Sequence, residues 1–296
     1  MSTRSSFKTM SSLGHIIIIG AMKAGTTSLY RWLASFDSIA SSRIKDTKYF
    51  LTKRQGGNYY KGYSWYAEQF RVSPSSTMMM ESSSHYSKFP DYKGIPSRIR
   101  NSLIHPKLIY LVRNPIDRTL SHFFHNLVID GTVSNINQSL SKFESKYYNY
   151  SDYAMQLNRY YLCFDSSSIF VADLFGRELK NSYMQSILDF LDVDTQQKQK
   201  PFSCLTKENS LELNIMKRKS GARDGFCGAN QRSFKRMEEV LSTFPGCDLV
   251  NLAIEMGMQD DTFKYMIDRQ MRMIERFESF NGRGYREWIT KYECYL

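Results

Sequence analysis

The sequence predicts an α/β protein in which helices flank a parallel, P-loop-like β-sheet. Two short runs dominated by aliphatic residues, at positions 15–19 and 107–112, are typical of strands that are buried on both faces. Each run leads into a segment with helical periodicity, so strands and helices alternate along the chain. Ligands of such sheets bind at the carboxyl ends of the strands, and the residues that follow each run are therefore the first candidates for a site.

Local signals predict the other regular elements. Residues 26–35 are predicted to form a helix after the first strand. Asn114 followed by Pro115 indicates a second helix start, because Asn caps the first amide groups and Pro fits the first turn. Apolar patterns predict one more strand and two more helices, at 168–172, 179–191 and 262–280.

Two stretches show no regular period. Residues 53–74 are rich in Tyr, Gly and charge, as expected of a lid or substrate loop, and residues 198–236 are basic and polar. Neither stretch has the character of a domain boundary. We therefore expect one domain over residues 1–296.

The charge of the chain favours an anionic ligand. Its 40 basic and 29 acidic side chains leave a formal net charge of +11 over 296 residues, which suits a partner rich in phosphate or sulfate. The Lys and Arg residues are spread along the chain, with no long basic run, zinc-ligand spacing or RNA-binding signature. We therefore do not expect nucleic acid as the ligand.

No part of the sequence is apolar enough to span a membrane. The longest strongly apolar run, residues 16–19, is far short of the roughly 20 residues that a spanning helix needs. That run passes straight into Lys23 and a glycine motif, which argues against a signal peptide. Five cysteines, an odd number, do not indicate a disulfide scaffold. We therefore expect a soluble, cytoplasmic protein in a reducing compartment.

A glycine loop, residues 20–25, joins the first strand to the first helix. Gly20 and Gly25 have the spacing of a nucleotide-triphosphate P-loop, and the amides at such a helix start point at an anion. The lysine, however, stands at the fourth position as Lys23, and Thr26 occupies the usual place of the P-loop lysine. This position favours contact with a single phosphate, which suits a donor whose 5′-phosphate must leave.

A second candidate anion site follows the strand at 107–112. Arg113 lies at the end of that strand, where its guanidinium fork can hold a phosphate through two hydrogen bonds. Ser121 lies two turns into the next helix and can donate to the same anion. His125, four residues further on, shares the same helix face. A capped helix with a surface arginine is the alternative interpretation.

Together the two motifs resemble the 5′-phosphosulfate loop and the 3′-phosphate motif of the sulfotransferase family, most closely its carbohydrate branch, which includes heparan sulfate sulfotransferases. That branch's Lys-Glu-x-x-Phe-Phe segment is similar to residues 45–50, and its Glu-Lys-Ser-Pro-x-Tyr strand end is similar to residues 81–86. Its other characteristic segments resemble residues 59–66, 190–191 and 280–288. The resemblance covers most of the chain and implies the sulfotransferase fold.

The resemblance implies roles in binding the donor, 3′-phosphoadenosine-5′-phosphosulfate (PAPS). Lys23 would neutralise the leaving phosphate and contact the bridging oxygen. Arg113 and Ser121 would bind the 3′-phosphate, and Arg232 would belong to the basic loop that closes over the donor. The 5′-phosphate would be held by Ala24, Gly25, Thr26, Thr27 and Ser28.

The resemblance also implies a catalytic base. Asp46 falls on the catalytic Glu of the family, although its side chain is one methylene shorter. His85 lies close by and is a rival base, because the unperturbed pKa of histidine suits that role. His125 falls where some relatives have an active-site histidine. Ser82 replaces the lysine of the Glu-Lys-Ser-Pro segment.

The implied reaction is in-line transfer of a sulfuryl group to a hydroxyl or amine of a carbohydrate or small-molecule acceptor, without a metal. Two alternatives stay open: a P-loop kinase or NTPase that uses Mg²⁺-ATP, and a non-catalytic protein that binds a nucleotide or an anionic glycan. Cys204 and Cys227 roughly match a cysteine pair of Golgi relatives. A disulfide there would contradict the expected reducing compartment.

Overall fold

The computed structural model describes residues 13–130, 135–141, 146–174, 180–193, 235, 237, 239, 248–290 and 292. Internal contacts divide the chain into two compact units. The first comprises Met1–Arg113 and Met155–Thr206, and the second comprises Asn114–Ala154 and Lys207–Leu296. The single domain expected over residues 1–296 stays a prediction.

The first unit is built on a parallel five-stranded sheet flanked by helices, which confirms the predicted fold class. In chain order the strands are β1 (Gly14–Gly20), β2 (Ile39–Ser41), β3 (Met78–Ser82), β4 (Lys107–Val112) and β5 (Ile169–Asp173). Across the sheet they follow the order β2-β3-β1-β4-β5. The predicted strands at 15–19, 107–112 and 168–172 are therefore observed as β1, β4 and β5.

The central strand β1 is fully enclosed. Its four consecutive isoleucines, Ile16 to Ile19, are 0% exposed, and burial of such side chains stabilises the fold by roughly 1.5–3 kcal/mol each. Ile18 pairs with Ser82 of β3, and Gly20 pairs with Tyr110 of β4. Because all strands run the same way, the chain segments that follow β1, β3 and β4 leave the sheet at one edge.

In chain order the helices are α1 (Thr26–Leu33), α2 (Gly62–Ala67), α3 (Ile95–Ser102), α4 (Pro115–His125), α5 (Ile136–Leu140), α6 (Lys146–Asn149), α7 (Tyr153–Tyr161), α8 (Lys180–Leu191), α9 (Leu249–Glu255), α10 (Asp260–Asn281) and α11 (Arg286–Thr290). The predicted helices at 26–35, 179–191 and 262–280 are confirmed as α1, α8 and α10. The expected cap of α4 is also confirmed, because Asn114 accepts a hydrogen bond from the Ile116 amide at 2.9 Å.

The second unit packs α4 against other helices. Phe123 and Phe124 of α4 share a buried apolar cluster with Met266 and Ile267 of α10. Arg118, also on α4, is 0% exposed and donates to Ser151 Oγ at 2.5 Å. A buried cation needs such hydrogen bonds because the interior cannot replace its hydration.

Part of the sheet was not predicted from the sequence. Strands β2 and β3 complete one side of the sheet, next to β1. The stretch 53–74, predicted to be irregular, contains short 3₁₀ turns and the helix α2. Within the described ranges, no helix combines the length and the apolar character that a bilayer crossing requires.

Candidate active site

The glycine loop begins where β1 meets the turn that follows β3. Gly20 has a φ of 154°, and a β-carbon at this position would lie 1.8 Å from Ser87 Oγ and 3.1 Å from Tyr110 Cε2. Any residue larger than glycine would therefore collide with its neighbours. The close approach brings the start of the glycine loop against the segment that carries His85.

Lys23 lies at the crown of the loop and is only partly exposed. Its φ of 69° is in the left-handed region that a lysine rarely adopts, and such strain is often stored at functional sites. The loop is tied to β4 at two points. Ala21 donates its amide to the Leu111 carbonyl at 2.8 Å, and the Arg113 guanidinium donates to the Lys23 carbonyl at 3.4 Å.

The loop ends at the first turn of α1, which suits an anion. Gly25 is the N-cap residue with a φ of 91°, no side chain caps the helix, and its first turn contains no acidic residue. The first hydrogen bond within the helix runs from the Leu29 amide to the Gly25 carbonyl at 3.1 Å. The amides before Leu29 therefore lie outside the regular hydrogen bonding of the helix. Ala24 and Thr26 are buried, whereas Thr27 and Ser28 are partly exposed. This part of the chain therefore fits a phosphate group.

Asp46 is held beside the carboxyl end of β3. Its Oδ1 atom accepts a hydrogen bond from the Ser84 amide at 3.1 Å, and its Oδ2 atom lies 3.6 Å from Lys45 Nζ. Lys45 Nζ also donates to the Ser82 carbonyl at 3.2 Å. Burial lowers the pKa of Lys45. The Asp46 side chain keeps 37% of its surface exposed, so its carboxylate is both fixed and accessible.

His85 lies one residue after Ser84 and is half-buried. Its ring packs edge-on against Tyr92 with 5.4 Å between centroids, and its buried Nδ1 atom has no hydrogen-bond partner among the described residues. Burial, followed by the charges of Lys88 and Lys48, lowers the pKa of His85 to about 4. The imidazole is therefore neutral at pH 7.

The structure adds Glu81, which was not among the predicted site residues. This carboxylate at the end of β3 is 0% exposed and accepts hydrogen bonds from Thr47 Oγ1, Ser83 Oγ at 2.9 Å and Tyr86 OH at 3.0 Å. Burial raises the pKa of Glu81 to about 7. A charged residue directly after three methionines was a signal for it, but its partner Thr47 is 34 residues away in the sequence.

The other predicted residues divide into two groups. Ser121 and His125 lie in the second unit, four residues apart on α4, and both are partly exposed. The structure therefore confirms that they follow each other along one helix. Arg232 lies outside the described residues, as do Cys204 and Cys227.

An exposed aromatic and cationic surface lies on the segment after Lys53. Tyr60 is 58% exposed, and the ammonium groups of Lys53 and Lys61 lie 5.4 and 5.9 Å from its ring centroid. Lys61 Nζ is also 4.5 Å from the Trp65 ring. Such a surface can stack on a sugar or another flat ring and can pair with an anion.

Comparison with known proteins places these observations in a family. The family model described as "Sulfotransferase domain" matches residues 13–240. A bifunctional heparan sulfate N-deacetylase/N-sulfotransferase 1 from Xenopus laevis is 32% identical over 130 residues, which are 43% of this chain and 14% of that protein. The human N-deacetylase/N-sulfotransferase 2 is 26% identical over 209 residues, which are 63% of this chain and 23% of that protein.

A solved structure supports the fold. The crystal structure of a sulfotransferase from Alicyclobacillus acidocaldarius superposes with a TM-score of 0.60 and 20% identity, covering 93% of this chain and 98% of that one. At this identity the likeness concerns the fold alone. The chain spans only 14% and 23% of the two curated relatives, so the activities in their names describe those proteins.

Proposed function

This chain belongs to the sulfotransferase family, and on that premise we propose that it transfers a sulfuryl group from PAPS to a hydroxyl or amine. The observation that carries the proposal is the glycine loop. Its lysine stands at the crown, tied to Arg113, and it leads into a helix start that has neither a side-chain cap nor an acidic residue. An anion at this position would be stabilised by amide groups and by the helix dipole.

The residues of the glycine loop would bind the donor's 5′-phosphate. The amides of Gly25 to Ser28 and the hydroxyls of Thr26, Thr27 and Ser28 lie at the start of α1, while the Ala24 amide donates to the Ala21 carbonyl at 3.2 Å. The ammonium group of Lys23 would stabilise the negative charge that grows on the phosphate oxygen when the bond from that oxygen to sulfur breaks. The donor supplies the activated sulfuryl group, and the chain's contribution is to hold it and to neutralise the leaving oxygen.

Arg113 would bind the donor's 3′-phosphate. Its guanidinium lies at the end of β4, and a fork of this shape binds a phosphate through two parallel hydrogen bonds. The family resemblance assigns Ser121 to the same phosphate, Arg232 to a closing basic loop and His125 to the reaction centre. These three assignments rest on the sequence.

Asp46 is our proposed general base. The bond from the Ser84 amide fixes one carboxylate oxygen, while the exposed part of the side chain can receive the proton that the acceptor loses as it attacks sulfur. His85 is the alternative base. Its lowered pKa of about 4 gives the imidazole no more basicity than an ordinary carboxylate has. The preference for Asp46 rests on its accessible carboxylate, which the Ser84 amide holds in place.

The acceptor is proposed to be a carbohydrate or a small molecule with a ring. The names of the curated relatives refer to heparan sulfate, a carbohydrate. The exposed Tyr60 ring and the lysines beside it are compatible with stacking on a sugar. The same features are compatible with an anionic aromatic compound, and an acceptor screen would have to contain both classes.

A P-loop kinase or NTPase is the less supported alternative. Such an enzyme needs a lysine directly after the second glycine to reach the outer phosphates, and this chain has Thr26 there. A non-catalytic nucleotide- or glycan-binding protein is the other alternative. It would bind the donor or its product but would transfer no sulfuryl group.

Thermal unfolding with nucleotides tests the donor site without knowledge of the acceptor. The protein would be melted alone, with 3′-phosphoadenosine-5′-phosphate, and with Mg²⁺-ATP. Ligand at about 100 times its Kd should stabilise the protein by roughly 2.7 kcal/mol. A shift in melting temperature with the bisphosphate alone supports the proposal, whereas a shift with Mg²⁺-ATP alone would favour the kinase.

A further inference from the structure

The buried carboxylate of Glu81 accepts hydrogen bonds from three hydroxyl groups, which come from two separate parts of the chain. Ser83 and Tyr86 come two and five residues after Glu81, and their hydroxyls lie 2.9 and 3.0 Å from its oxygens. Thr47, 34 residues earlier in the chain, donates to the same carboxylate. Together these four residues form what we call the Glu81 cluster.

Each hydroxyl oxygen of the Glu81 cluster also accepts a hydrogen bond from a backbone amide, and the three amides belong to the short segment 48–50. The Lys48 amide donates to Ser83 Oγ at 3.1 Å, the Tyr49 amide to Thr47 Oγ1 at 3.2 Å, and the Phe50 amide to Tyr86 OH at 3.3 Å. A hydroxyl has one proton to donate and two lone pairs to accept with. Because each of the three hydroxyl protons points at the Glu81 carboxylate, the lone pairs of the hydroxyl oxygens are left to accept from the successive amides of residues 48–50.

The same segment carries the Asp46 carboxylate. Asp46 immediately precedes Thr47, and its Oδ1 atom is bound by the Ser84 amide, in the turn between Ser83 and Tyr86. The Thr47 carbonyl is held in addition by Asn58 Nδ2 at 2.8 Å. The backbone of residues 46–50 is therefore fixed to the end of β3 through side chains that converge on Glu81.

We infer that Glu81 is a positioning residue, whose carboxylate sets the place of Asp46 by orienting the hydroxyls that hold residues 48–50. This inference rests on the proposed function, in which Asp46 accepts the proton of the acceptor. A fully buried carboxylate is unfavourable unless hydrogen-bonded, and an apolar residue would fill this strand position without that cost. The hydrogen bonds that fix residues 46–50 therefore give a reason for a carboxylate at this buried position.

Hydrogen exchange tests the positioning directly and requires no acceptor. The exchange would be measured at pH 8, above the raised pKa of Glu81 of about 7, where the side chain is ionised and accepts only. In Glu81→Gln, one hydroxyl of the cluster then faces an amide group that donates instead of accepting. We expect the amides of residues 48–50 to exchange about five- to tenfold faster than in the unmodified protein. Tyr160→Phe is the matched control, because its buried hydroxyl donates to the Tyr86 carbonyl at 2.9 Å and to none of these amides.

A double-mutant cycle then connects the cluster to catalysis. Turnover would be measured as loss of labelled sulfate from PAPS, with water and with desulfated heparan sulfate as acceptors. We expect Glu81→Gln to lower kcat by about tenfold with little change in the KM for PAPS. In an Asp46→Ala background the same substitution should have no further effect, because the group that it positions is gone.

The outcomes separate this inference from the proposed function. Unchanged exchange at residues 48–50, or an equal loss of kcat in both backgrounds, would overturn the positioning role. A protein without any turnover of PAPS would contradict the proposed function, while the exchange result would still decide whether Glu81 fixes the segment. If Glu81→Gln does not fold, Ser83→Ala removes a single hydroxyl and takes its place, and the Lys48 amide is then the one expected to exchange faster.

Discussion

The Arg113 guanidinium donates a hydrogen bond to the main-chain carbonyl of Lys23 at 3.4 Å, joining two residues that are 90 positions apart. One stands at the end of β4, and the other stands at the crown of the loop that follows β1. The contact links the two residues for which we propose contacts with different phosphates of one donor. Under the proposed function, Arg113 would therefore have two roles: to bind the 3′-phosphate and to hold the loop that binds the 5′-phosphate.

Substitution of Arg113 should separate these roles. Arg113→Ala is expected to weaken binding of 3′-phosphoadenosine-5′-phosphate by about 10- to 100-fold, the usual range for hydrogen bonds to a charged group. Binding of adenosine 5′-monophosphate, which has no 3′-phosphate, should weaken much less. Titration calorimetry with both nucleotides measures the difference. Equal losses for the two nucleotides would mean that Arg113 acts only through the loop.

The close packing at Gly20 should make this position intolerant of any side chain. Gly20→Ala introduces a β-carbon that would lie 1.8 Å from Ser87 Oγ, and we expect the free energy of unfolding to fall by about 3 kcal/mol. Denaturant unfolding measures this loss. Gly56→Ala is the control, because Gly56 has a φ of 73° but no atom within 4 Å of its β-carbon position, so that only backbone strain of about 1 kcal/mol applies.

A second substitution checks the cause of that loss. Ser87→Gly removes the side chain that a β-carbon on Gly20 would meet. In the Ser87→Gly background, Gly20→Ala should therefore cost less than it does alone. Identical costs in both backgrounds would refute the steric explanation.

Asp46 should be more important for turnover than His85. Asp46→Asn keeps an oxygen that can accept from the Ser84 amide but removes the basic carboxylate. It should lower kcat by roughly 10²- to 10⁴-fold, the usual contribution of a general base, and leave bisphosphate affinity unchanged. His85→Gln should leave kcat close to that of the unmodified protein. The reverse order of effects in steady-state assays would identify His85 as the base.

The stability of the protein should respond to the ionisation of Glu81. Because burial raises the pKa of Glu81 to about 7, the folded state keeps its proton at pH values where the unfolded chain has lost it. Protonated Glu81 therefore adds to the free energy of unfolding. This stabilisation is fully present below the pKa of Glu81 in the unfolded chain and is lost as the pH rises through 7. From the size of the shift, the loss is about 3 kcal/mol.

Comparison with Glu81→Gln isolates this effect. Denaturant unfolding at pH 4.5, 6 and 8 should show the unmodified protein losing stability relative to the variant as the pH rises. His15 and His85, whose pKa values burial lowers to about 4, contribute in the opposite direction as the pH falls below 6.5, but both proteins share that contribution. A stability difference that is constant with pH would contradict the raised pKa.

The elements that sequence analysis predicted well are those whose signals are local. The four isoleucines of β1 and the Asn114-Pro115 helix start contain their own evidence within a few residues, and the structure confirms both. The residue pattern did not predict β3, because the methionines at positions 78–80 have a high helix propensity and show no strand-like alternation. Only the family resemblance implied a strand end at residues 81–86. The place of β3 beside β1 depends on pairing with a distant segment.

The same distinction applies to the candidate site. The glycine loop was predicted because its glycines and its lysine lie within six positions. The Glu81 cluster was not predicted, because its hydrogen bonds form only when residues 46–50 pack against the carboxyl end of β3 in the folded chain. The contact between Arg113 and Lys23 likewise exists only after the strands β1 and β4 have paired.

Turnover of PAPS by the unmodified protein and by Lys23→Ala is the most direct test of the proposed function. The release of labelled sulfate or its transfer to a panel of carbohydrate and phenolic acceptors would be followed for both proteins. Lys107→Ala serves as control, because Lys107 lies at the amino end of β4, away from the carboxyl edge of the sheet. We expect turnover by the unmodified protein and by Lys107→Ala, and a loss of at least about 100-fold in Lys23→Ala. Equal turnover by Lys23→Ala and the unmodified protein would contradict the role of Lys23, and no turnover by the unmodified protein would contradict the proposed activity.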